Sequence, residues 1–232
     1  MEPKAQRQYE QPGLEYNMDP QPIYIRDNYQ GSDKLNDKIA VITGGDSGIG
    51  RAVAIHFARE GADLAILYHP REDEDALKTK SLVEAEGRRC LLIAGDLKEV
   101  DFIKEAAEKI IATYDRVNIL VNNAANHVEQ KEFGGISDQQ MRETFELNIL
   151  AMFRLTKRLL PHMNANDCII NTTSVVSYRG SKALIDYAST KGAVTAFTRS
   201  LSQNLVERNI RVNAVAPGPI WTPLIVATNT LE

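Results

Sequence analysis

Tyr187 and Lys191 are the residues whose types and spacing point most directly to chemistry, because they lie four positions apart in a stretch with helical periodicity. That separation places both side chains on one face of a helix. An ammonium group about 4 Å from a phenol, at an effective dielectric constant of about 20, stabilises the phenolate by about 4 kcal/mol, or roughly three pK units. The pair therefore predicts a tyrosine that exchanges protons near neutral pH, although the same spacing is also common on solvated helix faces.

Ser174 and Asn148 are polar residues next to apolar stretches of the sequence, where a polar side chain is unusual unless it has a function or a hydrogen-bond partner. Ser174 follows an apolar run and precedes Tyr187 by thirteen residues. Open α/β sheets bind ligands at the carboxyl ends of their strands, so we expect Ser174 to stand beside Tyr187 at that edge. Asn148 lies among apolar neighbours in a helical stretch, where asparagine is a poor choice unless its amide has a partner.

A glycine-rich segment, residues 43–50, lies between an apolar run and a helical pattern. Gly44 permits a tight turn, Gly48 permits close approach of a phosphate to the backbone, and Gly50 lets the helix pack near the sheet. The free N–H groups and the dipole of the helix N-terminus favour a pyrophosphate. This placement predicts a dinucleotide-binding turn that contains Thr43, Gly44, Asp46, Ser47, Gly48, Ile49 and Gly50.

The segment after the second apolar run bears on the choice between NAD and NADP. An acidic residue at this strand end would bond to the ribose hydroxyls of NAD, but Tyr68 stands there instead. Arg71 is suited to a 2′-phosphate, whereas Ser47 is neutral where a basic residue would have helped. The sequence leaves both cofactors open, with a slight preference for NADP. Asp96 has two interpretations of equal weight: a cap for the next helix, or an acceptor for the adenine amino group.

Composition excludes several classes of protein. The chain has 232 residues, 43% of them apolar, and a formal net charge of −4, which disfavours a nucleic-acid binder. Its apolar runs are too short to span a membrane, and the first eight residues lack the apolar core of a secretory signal, so we expect a cytoplasmic protein. Cys90 and Cys168 are far apart, which predicts neither a disulfide framework nor a metal site.

Apolar runs alternate with helical patterns from residue 38 onward, which predicts a parallel sheet with helices on both faces. The expected strands are 39–43, 64–68, 90–94, 119–122, 168–172 and 210–215, and the expected helices are 48–60, 72–86, 99–114, 138–163 and 187–207. Residues 1–36, rich in proline and tyrosine, form an N-terminal arm that precedes one domain at 37–232. Two interpretations of the arm stay open, a disordered tail and a segment that packs on something, such as a neighbouring subunit.

These motifs, in this order, resemble the short-chain dehydrogenase/reductase family, and within it a bacterial subgroup of general-stress and glucose/ribitol-dehydrogenase-like proteins. The resemblance covers about residues 38–222 and rests on Thr43, Gly44, Gly48, Ile49, Gly50, Asp96, Asn122, Asn123, Ala124, Ala125, Asn148, Ser174, Tyr187, Lys191, Pro217 and Gly218. It implies one Rossmann-type, doubly wound parallel sheet of strand order 3-2-1-4-5-6. It also implies an oxidoreductase that interconverts an alcohol and a carbonyl by hydride transfer with NAD or NADP.

The resemblance also implies roles for single residues. Tyr187 exchanges a proton with the substrate oxygen, Ser174 holds that oxygen, Lys191 lowers the Tyr187 pKa and binds the nicotinamide ribose, and Asn148 fixes a water of a proton relay. Asn122 and Ala124 are expected on the adenosine-ribose side and residues 217–222 near the nicotinamide carboxamide. The remaining implied cofactor contacts are Tyr68, Arg71, Asp96, Leu97, Asn123, Ala125, Pro217, Gly218, Ile220 and Thr222.

The partners implied are a small alcohol or carbonyl substrate and further copies of the chain, with no nucleic acid and no membrane. The resemblance places the subunit interface on helices 138–163 and 187–207 and predicts a dimer or tetramer. Family members usually continue past the turn at Pro217 and Gly218 with a substrate-covering segment and a seventh strand. We therefore expect a C-terminally truncated chain. The alternative hypothesis is a catalytically silent dinucleotide-binding or scaffold protein.

Overall fold

The computed structural model of the chain describes residues 6–228, in which six parallel strands form one sheet of order β3-β2-β1-β4-β5-β6. The strands are β1 (Ile39–Thr43), β2 (Asp63–Tyr68), β3 (Cys90–Ala94), β4 (Ile119–Asn122), β5 (Cys168–Thr172) and β6 (Arg211–Val215). The predicted fold class and strand order are thus confirmed, and each predicted strand boundary agrees to within one residue. The described residues divide into two compact units, one up to residue 96 together with the residues from 220 onward, and the other at 97–219.

The first unit contains β1 to β3 and the helices that follow them. Its helices are α1 (Gly48–Arg59), α2 (Asp73–Ala85) and, after the second unit, α8 (Pro223–Val226), with a 3₁₀ turn at Pro70–Glu72. Strands β1 and β2 are buried along their whole length and pair in register from Ile39 opposite Asp63. Strands that are apolar on both faces are typical of a parallel sheet covered by helices. For this reason the continuous apolar runs in the sequence predicted these strands correctly.

The second unit contains β4 to β6. Its helices are α3 (Val100–Tyr114), α4 (Asp138–Phe145), α5 (Ala151–Leu159), α6 (Val176–Arg179) and α7 (Ile185–Asn204), with 3₁₀ turns at Phe133–Gly135, Leu160–His162 and Val206–Arg208. The predicted single helix over 138–163 is wrong in detail, because a π-helical turn, Glu146–Leu150, separates α4 from α5. No helix in residues 6–228 is both long and apolar enough to cross a membrane.

The described part of the N-terminal arm packs on the rest of the first unit. The backbone N–H of Gln8 donates to the Val226 carbonyl at 2.7 Å, and the indole N–H of Trp221 donates to the Pro20 carbonyl at 2.9 Å. A 3₁₀ turn, Glu15–Asn17, ends beside Met18, whose side chain is buried. The surface on which the described part of the arm packs thus belongs to its own chain.

Candidate active site

The glycine turn between β1 and α1 is held in a shape that needs glycine. Gly44 has a φ of 62°, and its N–H donates to the Leu67 carbonyl at 2.8 Å, which ties the turn to the end of β2. Gly48 has a φ of 51°, and a Cβ there would lie 3.0 Å from the Thr222 side chain. Both positions disfavour any other residue. The turn thus leads directly into α1, whose first N–H groups lie at Gly48 and after it.

A carboxylate from the arm binds the start of α1. Ser47 is the N-cap residue, but its side chain makes no capping hydrogen bond. Instead, the Glu15 carboxylate accepts a hydrogen bond from the Gly48 N–H at 2.6 Å and forms an ion pair with the Arg51 guanidinium. The second carboxylate on Arg51 is that of Asp75, at 3.2 Å. The turn therefore rests on two carboxylates and one guanidinium, and all three side chains are buried.

Two other residues predicted to contact the cofactor, Asp46 and Tyr68, lie next to acidic side chains of the first unit. The Asp46 carboxyl is buried beside that of Glu72, and burial raises the pKa of both groups. The Tyr68 hydroxyl donates to the Asp73 carboxylate at 2.6 Å, and burial together with that bond raises the pKa of Tyr68. We conclude that this strand end holds an acidic cluster, which the sequence analysis did not predict.

Arg71, the candidate for a 2′-phosphate, already has anionic and polar partners in the arm. Its guanidinium donates to the Gln11 carbonyl at 3.1 Å and forms an ion pair with Glu10. Both side chains of the ion pair are exposed, so the contact is a weak one in water.

Ser174, Tyr187 and Lys191 converge in the second unit, as predicted. Ser174 follows the end of β5, and its side chain makes a hydrogen bond to Tyr187. The Lys191 ammonium lies 5.5 Å from the centre of the Tyr187 ring and donates to the Thr172 carbonyl at 2.7 Å. The four-residue spacing on α7 and the end of β5 thus bring a hydroxyl, a phenol and an ammonium together.

The pKa directions at this cluster differ from the expectation. Burial raises the pKa of Tyr187, while its hydrogen bond with Ser174 lowers it. Burial also lowers the pKa of Lys191 to about 8. The role of Lys191 in lowering the Tyr187 pKa stays a prediction. In the protein alone, burial has the largest influence on the pKa of both groups, and the ammonium is bonded to the Thr172 carbonyl.

Asn148 holds the backbone beyond β4. Its side-chain oxygen accepts from the Asn126 N–H at 2.9 Å, and its amide nitrogen donates to the Asn126 carbonyl at 2.9 Å and to the Thr190 hydroxyl at 3.2 Å. The Thr190 hydroxyl in turn donates to the Tyr187 carbonyl at 2.7 Å. The sequence analysis expected a partner for the buried Asn148 amide. That partner is the backbone of Asn126, 22 positions away, and Asn148 contacts it from a π-helical turn.

Two residues outside the predicted catalytic and cofactor-binding set also contact this cluster. The His127 ring lies 4.8 Å from the Tyr187 ring, and burial together with the Lys191 charge lowers the pKa of His127 to about 4. Asp186, buried at the start of α7, accepts from the Thr144 hydroxyl at 3.0 Å and from the Tyr187 N–H. The only sequence signal for either residue was its closeness to a motif.

The remaining predicted residues are placed as follows. The Asn122 amide donates to Thr156 and Asn171 in the interior of the second unit. Asn123 accepts from the Thr172 hydroxyl, and the Pro217 carbonyl accepts from the Val175 N–H. By position, Thr43 is the last residue of β1, Ile49 and Gly50 lie in the first turn of α1, Asp96 and Leu97 lie between β3 and α3, Ala124 and Ala125 follow β4, and Gly218 and Ile220 lie between β6 and α8. No group of three or more histidine, cysteine or acidic side chains in the described chain is arranged to hold a metal ion.

Comparisons with known proteins agree with this architecture. The family model described as short chain dehydrogenase matches residues 38–231. General stress protein 39 of Bacillus subtilis is 52% identical over 97% of this chain and 78% of its own length. Glucose and ribitol dehydrogenase of Daucus carota is 42% identical over 95% of this chain and 77% of its own length.

The structural comparison gives the same result. The crystal structure of L-sorbose reductase from Gluconobacter frateurii, complexed with NADPH and L-sorbose, has a TM-score of 0.77 and 32% identity. The match covers 82% of this chain and 72% of that one. The family model spans well over half of the chain, and the fold and the order of the motifs agree with it. The chain therefore belongs to the short-chain dehydrogenase/reductase family of NAD(P)-dependent oxidoreductases.

Proposed function

We propose that the chain interconverts an alcohol and a carbonyl with Tyr187 as the general acid or base. The observation that carries this proposal is the convergence of Ser174, Tyr187 and Lys191 at the carboxyl end of β5. In the carbonyl-reducing direction, the Tyr187 hydroxyl gives its proton to the substrate oxygen. Ser174 donates a hydrogen bond to the same oxygen and holds it in place.

Lys191 and Asn148 support Tyr187 in different ways. Lys191 has a pKa of about 8 and is therefore mostly charged at neutral pH, so it places a positive charge beside the ring from which a proton leaves. Asn148 is a positioning residue, since its amide holds the Asn126 peptide and the Thr190 hydroxyl. The expected proton relay from Lys191 through water at Asn148 belongs to this proposal.

The first unit supplies donors that fit the diphosphate of a dinucleotide. The start of α1 already holds a carboxylate at the Gly48 N–H, which supports an anion site there. When bound, NAD or NADP supplies or takes up the hydride. We retain a slight preference for NADP, because Arg71 follows β2 and because the sorbose reductase was solved with NADPH.

The substrate class we favour is a small polyol or an aldehyde. Two polar side chains support it: the amide of Gln130, in the loop after β4, donates to Gln140 on α4, and the Gln130 N–H donates to the Ala183 carbonyl. The names of the carrot glucose and ribitol dehydrogenase and of the sorbose reductase agree with such substrates.

Replacement of Tyr187 by Phe tests the proposal. We expect turnover of an aldehyde such as glyceraldehyde with NADPH to fall by about 10²–10⁴-fold, because the proton donor is lost. NADPH affinity and the melting temperature should stay within error of the wild type. Tyr178→Phe is the matched control, since it removes the same hydroxyl from a tyrosine that is 65% exposed. Wild-type turnover in Tyr187→Phe would remove this tyrosine from the mechanism.

We also propose that the chain forms a homo-oligomer through α4, α5 and α7. Phe153 on α5 is about half exposed and lies 4.1 Å from the Phe197 ring on α7, and Leu150 beside it is 41% exposed. Large apolar side chains in one exposed patch are typical of a protein interface. Light scattering on the wild type and on Phe153→Asp should give a dimer or tetramer for the former and a smaller species for the latter.

A further inference from the structure

The arm places the carboxylate of Glu15 at the start of α1, where the proposed cofactor would place its diphosphate. Glu15 is only 1% exposed, and its carboxylate binds the first N–H of α1 and the Arg51 guanidinium. The N-cap residue Ser47 leaves that N–H to Glu15, because its own side chain makes no capping bond. An anion at this end of a helix is stabilised by the helix dipole and by the free N–H groups. Glu15 is therefore bound in the way that a phosphate group is bound.

The arm is fastened at this point by its backbone as well. The Asp75 carboxylate accepts from the Glu15 N–H at 2.7 Å and from the Tyr16 N–H at 3.1 Å, and it also binds Arg51. The 3₁₀ turn of the arm is thus clamped between the start of α1 and the start of α2. Two buried carboxyl groups share one guanidinium, and burial raises the pKa of Glu15 while the Arg51 charge opposes that rise.

A second contact lies along the same segment of the arm. Glu10 forms an ion pair with Arg71, and the Gln11 carbonyl accepts from the same guanidinium at 3.1 Å. Arg71 is the residue proposed for a 2′-phosphate. The arm therefore engages both groups of the first unit that the proposed function assigns to cofactor phosphates.

We propose that the arm is an intramolecular competitor of the dinucleotide, in which Glu15 and the diphosphate exclude each other at the Gly48 N–H and Arg51. This inference rests on the proposed function, because it concerns the affinity of the same cofactor site. Binding of the dinucleotide requires Glu15 to leave, and by linkage the docked arm weakens binding by the same factor. The apparent dissociation constant exceeds the intrinsic one by the inverse of the fraction of molecules with a released arm. Glu15 is thereby a residue that sets cofactor affinity.

The first experiment measures binding to the full-length chain by calorimetry. Glu15→Gln keeps the side-chain shape and an acceptor oxygen but removes the charge, so we expect it to bind ADP and NADH about tenfold more tightly than the wild type, within the 5–150-fold range of such couplings. Adenosine carries no phosphate, and its affinity should not change. Asp27→Asn is the matched control, because it removes one carboxylate from an exposed position of the arm and should leave every affinity unchanged.

The second experiment follows the arm itself by amide hydrogen exchange in the wild type. The Glu15 and Tyr16 amides bond to Asp75 in the docked arm, so saturation with ADP should increase their exchange, whereas adenosine should not. This measurement does not depend on how Glu15→Gln folds. Thermal unfolding of each variant without ligand shows whether the charge change has loosened the fold as a whole.

The outcomes separate the two proposals. Equal affinities in the wild type, Glu15→Gln and Asp27→Asn, with arm amides that stay protected under ADP, would overturn the competition and leave NAD(P) binding intact. Failure of both the wild type and Glu15→Gln to bind ADP, NADH or NADPH would overturn the proposed function, and this inference with it. Tighter binding of phosphate-bearing ligands by Glu15→Gln, together with arm release by ADP in the wild type, would establish the competition.

Discussion

The glycine turn before α1 and the cluster at the start of α7 are both buried and polar, yet they are held together by different forces. At the glycine turn, Arg51 is bound by the carboxylates of Glu15 and Asp75. At the start of α7, the Lys191 ammonium is bonded to a neutral carbonyl, that of Thr172. A buried charge that is paired with opposite charges, such as Arg51, is needed for stability, because its removal leaves those charges unpaired. A buried charge without an opposite charge beside it, such as Lys191, weakens the fold and has a shifted pKa, which a catalytic site can use.

The largest expected effect is the difference in stability between two variants that each lose one positive charge, one in each region. Arg51→Met leaves two buried carboxylates without a countercharge, so we expect a loss of about 3–5 kcal/mol in the free energy of unfolding. Lys191→Met removes an ammonium that burial already disfavours, so its change at pH 7 should lie within about 1 kcal/mol of zero or be stabilising. Urea denaturation of both variants at pH 7 measures the difference. Equal losses would show that the contrast between the two regions is wrong.

A smaller loss of stability is expected at the cluster at the start of α7, which neutral hydrogen bonds hold together. Asn148→Ala removes the partners of the Asn126 peptide and of the Thr190 hydroxyl, and unsatisfied buried groups of this kind cost about 1–3 kcal/mol each. We expect a total loss of about 2–3 kcal/mol, because water and relaxation satisfy some of these groups.

The control for this substitution is Asn204→Ala, which alters an exposed asparagine at the end of α7 and should stay within about 0.5 kcal/mol of the wild type. Urea denaturation again gives the values. If Asn148→Ala were as stable as Asn204→Ala, the amide of Asn148 would have no part in holding the region, and only a role toward water or ligand would remain for it.

The same contrast explains what could be predicted from the sequence. Strands β1 to β6 and most helices follow from local patterns, because a buried parallel strand needs a continuous apolar run. Ser174 and Tyr187 follow from the rule that ligand-binding groups gather at the carboxyl ends of strands. These inferences need only residues that are close in the chain, or a general property of the fold.

The contacts that the sequence could not provide are those between distant residues. The π-helical turn at Asn148 depends on a peptide 22 positions away, and the docking of Glu15 depends on an N–H 33 positions away. The direction of the Tyr187 pKa shift depends on burial, which spacing along a helix does not report. A carboxylate in a proline-rich arm carries no local signal that it will cap a helix.

The smallest of the three stability effects concerns acid. The His127 pKa is about 4 in the folded chain and near 6.5 in an unfolded one, so between those values the unfolded state binds more protons. The stabilisation is fully present above pH 6.5 and is lost as the pH falls toward 4. From pH 7 to pH 5 this corresponds to about 2 kcal/mol, since each pK unit is 1.36 kcal/mol.

His127→Gln keeps a neutral polar side chain but cannot gain a proton, so its free energy of unfolding should fall about 2 kcal/mol less than that of the wild type between pH 7 and pH 5. His162→Gln makes the same change at the 3₁₀ turn after α5, and it should show the acid sensitivity of the wild type. Urea denaturation at half-unit steps of pH gives the slopes. Parallel slopes for the wild type and His127→Gln would show that protonation of His127 does not destabilise the folded chain in acid.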